Sequence, residues 1–374
     1  MDTTAATDTT GITATAGSTD ISDITDSKDS ACTASRTGRR PGGRGGDGRT
    51  AARAGRDGPA PHGPWRRGRV VAAGAVLVAL CLAGHSLVPN AGLRLGSLLE
   101  TFLPWLGVAV PLLAVLALIR RSAVAGIAVL LPAVVWSALF GGTLGDRAGA
   151  PGGGEASGGD LTVVSHNVGA ANTDPAGTAR ALAATGAQVV ALEELSAATA
   201  PGYERVLAAS YPYHSVQGTV GLWSTYPLRD VEALPIMPWT RAMRAVVETR
   251  EGPLAVYAVH LASVRVHPLA GFTTDRRNEA AGNLAAVLRA EALPRVVVAG
   301  DLNGTTEDRA LRPVTAGLRS AHEEAGDGFG FSWPASFPVA RIDQILVKGV
   351  TPVSARTLPR TGSDHLPVAA ALRL

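Results

Sequence analysis

Two kinds of sequence alternate along this chain: apolar stretches almost without charge, and mixed stretches in which polar residues recur. Residues 1–69 show no sustained apolar period, since their first part is mainly Thr, Ala, Ser and Asp and their second part is rich in Arg, Gly and Pro. Such a segment cannot bury enough apolar surface to offset the entropy of ordering the chain, so we predict a disordered tail. Three nearly uncharged apolar segments follow, at 70–89, 98–119 and 122–140.

Each of these segments is long enough to span a membrane, because a helix rises about 1.5 Å per residue and the hydrocarbon layer is about 30 Å thick. Buried helices of a soluble protein, or a cleaved signal peptide for the first segment, are the alternatives. Arginines at 66–69 and 120–121 flank the segments, so the positive-inside rule predicts a cytoplasmic N-terminus and an extracellular C-terminal part beyond about residue 141. For His85 and Glu100, near the outer ends of their spans, interfacial solvation is the ordinary expectation and a functional pairing of the two is the alternative.

A Gly-rich linker is predicted at 141–159, and a domain with short β-rich runs occupies 160–374. The predicted strands are Leu161–Val168, Gln188–Leu192, Ala245–Thr249, Leu254–Leu261, Arg295–Ala299, Ile342–Val347 and Val368–Leu374. Two helical patterns lie between them, one opened by Asp174-Pro175 and closed by Gly186, and one opened by Thr274. Strands outnumber helices, so we predict a mixed α and β sandwich.

Composition adds two restrictions on function. Hydrophobic residues make up 46% of the chain and charged residues 17%, which fits a membrane-embedded part. Residues 1–69 hold 11 Lys and Arg against 8 Asp, whereas residues 150–374 hold 19 basic against 21 acidic residues, which disfavours a large basic nucleic-acid-binding domain. Both cysteines, Cys32 and Cys81, lie early in the chain, so no disulfide framework or cysteine metal cluster is expected in the C-terminal domain.

The polar residues suited to chemistry in the C-terminal domain stand at the boundaries of its predicted strands. These residues are Asn167, Glu193, Glu194, His260, Asp301, Asn303, Asp343, Asp364 and His365. For any one of them a cap or turn role is the ordinary explanation. Together they indicate a site at one rim of the fold, where strand ends converge. Carboxylate and amide oxygens are hard ligands that suit Mg²⁺ or Mn²⁺, and Zn²⁺ is less favoured because no cluster of His and Cys is available.

The motifs that carry these residues resemble, in order, those of the endonuclease/exonuclease/phosphatase superfamily, which includes DNase I-like nucleases. They are Ser165-His166-Asn167-Val168, Leu192-Glu193-Glu194, Val259-His260-Leu261, Gly300-Asp301-Leu302-Asn303, Arg341-Ile342-Asp343 and Ser363-Asp364-His365-Leu366-Pro367-Val368. The resemblance covers roughly residues 160–374. It implies an α+β, four-layer αββα sandwich, here preceded by three transmembrane helices and the disordered tail.

The resemblance also implies a role for each residue. Glu194, Asn167 and Asp364 would hold Mg²⁺ or Mn²⁺. Asp301, oriented by Asn303, would align and deprotonate the attacking water. His365, held by Asp343, would donate as an imidazolium to the charge that develops on the phosphoryl oxygens, and His260 would be a second phosphate contact. His166 faces away from Asn167 on the same strand, which indicates a structural role.

Three departures from the superfamily pattern bear on substrate rather than on activity: Glu193 replaces a usual Gln, Gln188 replaces a frequent Asp, and Ala258-Val259 precede His260. The predicted activity is metal-dependent hydrolysis of a phosphate ester or pyrophosphate. A membrane-anchored arrangement resembling the VanJ-like members of actinobacteria favours a lipid-linked substrate such as polyprenyl pyrophosphate. The alternatives are an extracellular nuclease, a sphingomyelinase-like activity and a catalytically inactive binding module. Membrane lipids are predicted partners through the three spans.

Overall fold

A computed structural model describes residues 68–144, 159–267 and 271–374. Almost all of the predicted tail, and the predicted linker from residue 145 to 158, lie outside the described residues. The helices are α1 Arg69–Ala83, α2 Leu95–Thr101, α3 Ala109–Ile119, α4 Ala123–Leu144, α5 Pro175–Ala183, α6 Ala200–Leu207, α7 Asp275–Ala290, α8 Arg312–Thr315 and α9 Ala321–Ala325. Short 3-10 turns occupy His85–Leu87, Leu103–Val108 and Arg309–Leu311.

Fourteen strands are formed within the described residues. They are β1 Leu161–Asn167, β2 Val189–Glu193, β3 Tyr213–Gln217, β4 Val220–Ser224, β5 Leu228–Ala233, β6 Ala242–Thr249, β7 Gly252–His260, β8 Val266–His267, β9 Gly271–Phe272, β10 Val296–Asp301, β11 Arg319–Ser320, β12 Asp343–Lys348, β13 Thr351–Thr357 and β14 Val368–Arg373.

The N-terminal helices differ from the three predicted spans. Among the described residues only α4 is by itself long and apolar enough to cross a membrane; α1 is shorter, and α2 with the helix that follows forms a pair bent by 68°. The bend lies at Phe102, directly before Leu103-Pro104, because proline has no N–H for the helix and disfavours helical geometry in the residue before it. The uninterrupted helix expected at 98–119 is therefore wrong.

The boundaries of the other two segments also need correction. Helix α1 ends at Ala83 rather than near residue 89, because the chain turns at Gly84 into a 3-10 turn. Helix α4 continues to Leu144, so the first four residues of the predicted linker are helical. The expected solvation of Glu100 is wrong as well, because its side chain is fully buried against Arg309 and His85.

The C-terminal part contains two six-stranded sheets whose inner faces pack on each other. Their strand orders are β13-β14-β1-β2-β4-β3 and β11-β12-β10-β7-β6-β5. Side chains alternate between faces along a strand, so Val163, Val256 and Val297 enter the core between the sheets, while Val164 and Val298 face outward to helices. Helices α5 and α6 cover the outer face of the first sheet, and α7 covers that of the second. This arrangement is a mixed α and β sandwich in four layers.

Candidate active site

Strand register places three polar side chains next to one another at one end of the second sheet. Asp301, the last residue of β10, is paired with His260 on β7 and with Asp343 on β12. Residues 297 and 299 of β10 point into the core between the sheets, and the twofold alternation directs Asp301 to the same side. In the first sheet Asn167 is paired with Glu193. The ends of both sheets therefore meet around Asp301.

Asp301 is held by three hydrogen bonds. Asn167 Nδ2 donates across the two sheets to Asp301 Oδ2 at 3.0 Å. The backbone N–H of Asn303 donates to Oδ1 at 2.8 Å, and Asn303 Nδ2 donates to Oδ2 at 3.1 Å. Burial, together with the charge of Asp343, raises the pKa of Asp301 to about 7 although His365 and the hydrogen bonds act in the opposite direction. The carboxyl thus titrates near neutral pH, in the range that suits a general base.

The residue before Asp301 must be glycine for a steric reason. Gly300 has φ of 155°, and a Cβ atom there would lie 1.8 Å from the carbonyl oxygen of Val259 on the neighbouring strand. Asn303 has φ of 47°, a left-handed conformation that asparagine tolerates better than most residues. Its Nδ2 also donates to the carbonyl of Leu261 at 3.1 Å. These constraints explain the Gly-Asp-x-Asn pattern and fix the direction in which Asp301 points.

Asp343 and His365 form a buried pair beside Asp301. His365 Nδ1 lies 2.9 Å from Oδ2 and 3.1 Å from Oδ1 of Asp343, while its Nε2 lies 3.9 Å from Asp301 Oδ2. Ser332 Oγ donates to Asp343 Oδ2 at 2.6 Å. Burial favours the neutral imidazole, but the carboxylates of Asp343 and Asp301 outweigh it and raise the pKa of His365 to about 10. At neutral pH His365 is therefore a cation with Nε2 facing Asp301.

On the other side of Asp301 stands Glu194, whose side chain reaches the open cleft and is 31% exposed. Its backbone has φ of 60°, an unusual value for glutamate that turns its carboxylate out of the strand direction. The N–H of Ala170 donates to Oε2 at 3.1 Å, and His260 Nε2 lies 3.6 Å from Oε1. Glu193, the preceding residue, points instead into the space between the sheets.

Glu193 was predicted to be one of the site carboxylates, but its side chain is fully buried and does not reach the open cleft. Ser165 Oγ donates to its Oε1 at 3.2 Å, and its Oε2 has no hydrogen-bond partner. Burial, followed by the charges of Asp343 and Asp301, raises the pKa of Glu193 well above its ordinary value. His166 is also buried and is bonded through Nε2 to Thr361 Oγ1 at 2.8 Å, on the face away from Asn167.

Arg241 is a site residue that the sequence reasoning missed. It immediately precedes β6, and its guanidinium donates from Nη2 to the imidazole of His260. Burial, then the charge of Arg241 and that of His365, lowers the pKa of His260 well below 6.5, so His260 is neutral. The β6–β7 hairpin places Arg241 opposite His260, and recognising the turn at 250–251 would have paired the two residues. The structure thus adds a cation behind His260.

The predicted metal ligands lie around one turn. A Cβ at Gly169, which has φ of 70°, would lie 3.3 Å from Ser363 Oγ and 3.7 Å from Asp364 Oδ1, and the backbone N–H of the next residue, Ala170, donates to Glu194. Asp364 Oδ2 accepts a hydrogen bond from Trp333 Nε1 at 3.3 Å, and Asn167 Oδ1 accepts one from the Gly169 N–H at 3.0 Å. Two carboxylates with free oxygens and one amide fit a hard divalent cation.

A second group could hold a cation by distance alone, since ligand atoms of Asp301, Asp343 and His365 all lie within 4.8 Å of one another. In this group, however, Nδ1 of His365 is already bonded to Asp343. A cation there would have to compete with the proton of the imidazolium, which carries the same sign of charge. The described residues therefore offer two groups of oxygen and imidazole ligands on either side of Asp301, one at Glu194 and one at His365.

A cavity of about 580 Å³ joins the two groups, because Glu194, Asp301, Asn303, Asp364 and His365 all line it. Asn167 and Asp343 hold these side chains from behind. The arrangement presents one buried base, one buried imidazolium and a set of hard oxygen ligands to the same space. Such a constellation can bind and polarise an anionic group while activating water against it.

Comparisons with known proteins show the family to which this chain belongs. The family model described as "Endonuclease/Exonuclease/phosphatase family" matches residues 164–365, more than half of the chain. No curated protein matches the chain. The chain therefore belongs to the endonuclease/exonuclease/phosphatase family, whose members are generally phosphoester hydrolases.

Solved structures show similarity to the fold over the C-terminal part. Sphingomyelinase C from Streptomyces griseocarneus is 20% identical with a TM-score of 0.46, and covers 56% of this chain and 98% of its own. Beta toxin from Staphylococcus aureus, with bound magnesium ions, is 15% identical with a TM-score of 0.48, and covers 57% and 99%. The mannosyl-6-phosphatase of Bacteroides thetaiotaomicron is 15% identical with a TM-score of 0.47, and covers 57% and 100%.

Proposed function

We propose that this protein is a membrane-anchored, divalent-metal-dependent phosphohydrolase that cleaves a phosphate ester or pyrophosphate bond. The observation that supports this most directly is the arrangement at Asp301. A buried carboxyl that titrates near neutral pH is oriented by two asparagines and faces a protonated histidine 3.9 Å away. Few structural roles require a base and a cationic donor so close together in a cavity.

In the proposed reaction Asp301 accepts the proton of the attacking water, and Asn303 and Asn167 keep its oxygens directed into the cavity. His365 donates from Nε2 to the phosphoryl oxygens, on which negative charge grows as the water attacks. Asp343 keeps that imidazole charged and oriented. His260 is neutral and contacts Arg241, so we assign the contact with phosphate on this side to the two residues jointly.

Glu194, Asn167 and Asp364 would hold Mg²⁺ or Mn²⁺. Such a cation, when bound, supplies Lewis-acid stabilisation of the phosphoryl and leaving oxygens. It also removes an electrostatic problem, because an anionic substrate would otherwise meet the carboxylates of Glu194 and Asp364 without compensation. The exposed part of the Glu194 side chain lines the cavity in which the cation and the substrate would meet.

Membrane anchoring is supported by the surface of helices α1, α3 and α4. Leu77, Leu80, Leu112, Val115 and Ile127 are each more than half exposed, an apolar surface that water would disfavour. Together with the arginines that precede α1 and separate α3 from α4, this surface supports an N-terminus in the cytoplasm and the catalytic part outside. Reporter fusions after residues 60, 121 and 150 should report inside, inside and outside.

An anchored site would meet lipid phosphates, so we favour an envelope lipid such as polyprenyl pyrophosphate. The alternative is an extracellular nuclease. The slight acidic excess of residues 150–374 argues against it, because nucleases gain much of their affinity from basic contacts with phosphates. An inactive binding module is a third class, which the presence of every proposed catalytic group disfavours.

The test uses the purified full-length chain in detergent with Mg²⁺, with EDTA as the control. Polyprenyl pyrophosphate, phosphatidylinositol phosphates, sphingomyelin and plasmid DNA are supplied in separate reactions, and released phosphate, phosphorylated headgroup or nicked DNA is measured. We expect metal-dependent turnover of a lipid substrate that Asp301→Asn abolishes. Nicking of DNA alone would favour the nuclease, and the absence of turnover with every substrate would contradict the proposal.

A further inference from the structure

The N-terminal helices take part in the wall of the active-site cavity. Helix α2 ends at Thr101, the chain bends by 68° at Phe102, and both residues line the cavity that holds Asp301 and His365. The bend is set by Pro104, as described above. This bent segment therefore does more than a membrane tether would require, because it lines the same cavity as the proposed catalytic groups.

A buried ion pair fixes this segment on the catalytic domain. Glu100 is fully buried; its Oε2 accepts from the Arg309 N–H at 3.0 Å, and its Oε1 lies 3.6 Å from the Arg309 guanidinium. His85 Nδ1 lies 3.3 Å from the same Oε1. The guanidinium of Arg309 also donates to the carbonyls of Ser86 and Val88. Because separation would leave a buried charge without its partner, these contacts resist displacement of the helices.

A second chain of contacts leads from the same helix to the proposed base. Ser97 Oγ donates to Asp308 Oδ1 at 3.0 Å, and Asp308 Oδ2 lies 2.6 Å from Arg277 Nη2. Arg277 Nη1 donates to the carbonyl of Asn303 at 3.1 Å, and Asn303 orients Asp301. Arg277 and Asp308 are both fully buried. The position of the bend relative to the catalytic groups is therefore defined by the protein interior.

Besides the proposed catalytic and metal-binding groups and the polar residues Thr101, Ser263 and Arg265, the cavity is lined by six apolar side chains. Its apolar wall consists of Phe102, Val264, Phe272, Trp333, Ala340 and Ile342. Trp333 marks the boundary, since its Nε1 donates to Asp364 Oδ2 while its ring belongs to the apolar wall. A sugar phosphate or a nucleotide would leave this wall in contact with water or with polar groups, whereas an alkyl or prenyl chain would bury it.

The apolar wall continues toward the surface of the helices. Ala340 lines the cavity, and the carbonyl of its neighbour Val339 accepts from Trp105 Nε1 at 2.8 Å. The Trp105 ring is exposed and stacks on Phe331, with centroids 5.7 Å apart, and Phe337 beside it is 67% exposed. A chain longer than the cavity can leave along these aromatic rings, next to the exposed apolar helices.

We propose that the cavity binds phosphate esters that carry an apolar chain, and that Phe102 of the helical segment is a specificity-determining residue for that chain. The phosphate lies at the Asp301 and His365 end, and the chain lies against Phe102 and Phe272. This inference rests on the proposed phosphohydrolase function and deepens it, because it assigns the chain-binding part of the substrate site to the bend between α2 and α3.

The test measures binding separately from turnover. Hydrolysis-resistant alkylphosphonates with 2, 8 and 12 carbons are titrated by calorimetry into the full-length protein in nanodiscs with Mg²⁺. We expect Kd to fall by at least about 100-fold from the shortest to the longest chain, because a single methylene in an apolar pocket can already change affinity about 10-fold. Phe102→Ala should remove most of that gain and leave Kd of the two-carbon compound within about twofold of the wild type.

The matched control is Leu112→Ala, which removes an exposed apolar side chain of the same helical segment away from the cavity. This variant leaves the partition of the alkylphosphonates into the nanodisc lipid unchanged, so its Kd values should equal those of the wild type. Phe102→Trp narrows the cavity, so it should shift the binding preference to shorter alkyl chains. This variant provides the test if Phe102→Ala does not fold. A Kd that is independent of chain length, or a preference unchanged in both Phe102 variants, would overturn the inference. Neither result depends on turnover, so failure of the proposed phosphohydrolase function would be seen separately, in the hydrolysis assay.

Discussion

The pair of Asp343 and His365 permits a quantitative test of the proposed chemistry. Two oxygens of Asp343 lie 2.9 and 3.1 Å from His365 Nδ1 in a nearly water-free setting. The rise in the pKa of His365 from 6.5 to about 10 corresponds to about 5 kcal/mol in favour of the imidazolium. Asp343 is the largest source of this preference and Asp301 the second.

Asp343→Asn removes the charge and keeps the shape of the side chain. The pKa of His365 should then fall toward its ordinary value, so the cationic donor is lost as the pH rises through a lower value than in the wild type. We expect kcat/KM at pH 8 to fall by about 10²- to 10³-fold, the usual cost of removing a transition-state donor. The deficit should shrink at lower pH, where the histidine is protonated again.

The assay is the pH dependence of kcat/KM for Asp343→Asn, His365→Ala and the double variant, with melting temperatures recorded for each. Because the two residues act as a unit, the double variant should resemble the worse single variant. Glu251→Gln, which removes an exposed carboxylate far from the cavity, is the control for net charge. An alkaline limb that does not move, or losses that multiply in the double variant, would refute the pairing. Unfolding of both single variants would indicate a purely structural role.

Three further outcomes are expected. Glu194→Gln should raise the Mg²⁺ concentration for half-maximal activity by at least about 100-fold and leave the melting temperature unchanged. The reason is that loss of even a group that only supports a metal ligand lowers metal affinity by about 10- to 100-fold. Near-normal activity of this variant at limiting Mg²⁺ would contradict the role of Glu194. At low Mg²⁺, kcat/KM should increase as the pH rises through about 7, where Asp301 loses its proton, and this limb should move to lower pH as Mg²⁺ is added because the cation stabilises the carboxylate. Gly300→Ala should destabilise the fold by about 3 kcal/mol or more, because its Cβ would overlap the carbonyl of Val259; a change below about 1 kcal/mol in chemical denaturation would show that the strand adapts.

The strands that the sequence predicted correctly share one property. Strands β1, β2, β6, β7, β10, β12 and β14 lie inside their sheets, and most of their residues are buried. The four edge strands of the two sheets, β3, β5, β11 and β13, were all missed, and β3, β5 and β13 have largely exposed or half-exposed residues. Strand β4 was missed as well although it is interior and fully buried, so burial alone does not make a strand of five residues recognisable. An edge strand facing solvent does not carry the apolar signal on which the prediction depends.

The site divides in a similar way. Every predicted site residue stands at the end of a strand or in a loop beside it. The order of motifs grouped Asp301, Asp343 and His365, and the structure brings these three side chains together. Arg241 was not found, since a single arginine before a strand carries no such signal. Only the register of β6 on β7 places it against His260.

Residue types and their periodicity by themselves determined the core strands β7 and β10, which end in His260 and Asp301. They also determined the glycine before Asp301 and the set of oxygen and imidazole groups at the strand ends. Each of these features depends on local geometry or on chemistry that a side chain has by itself. The tertiary structure alone decided that Glu193 is buried with a raised pKa, that Glu100 is an interior partner of Arg309, and that Phe102 lines the cavity beside Asp301 and His365. Contacts between residues some 200 positions apart depend on how the helices and sheets pack, and no local pattern records them.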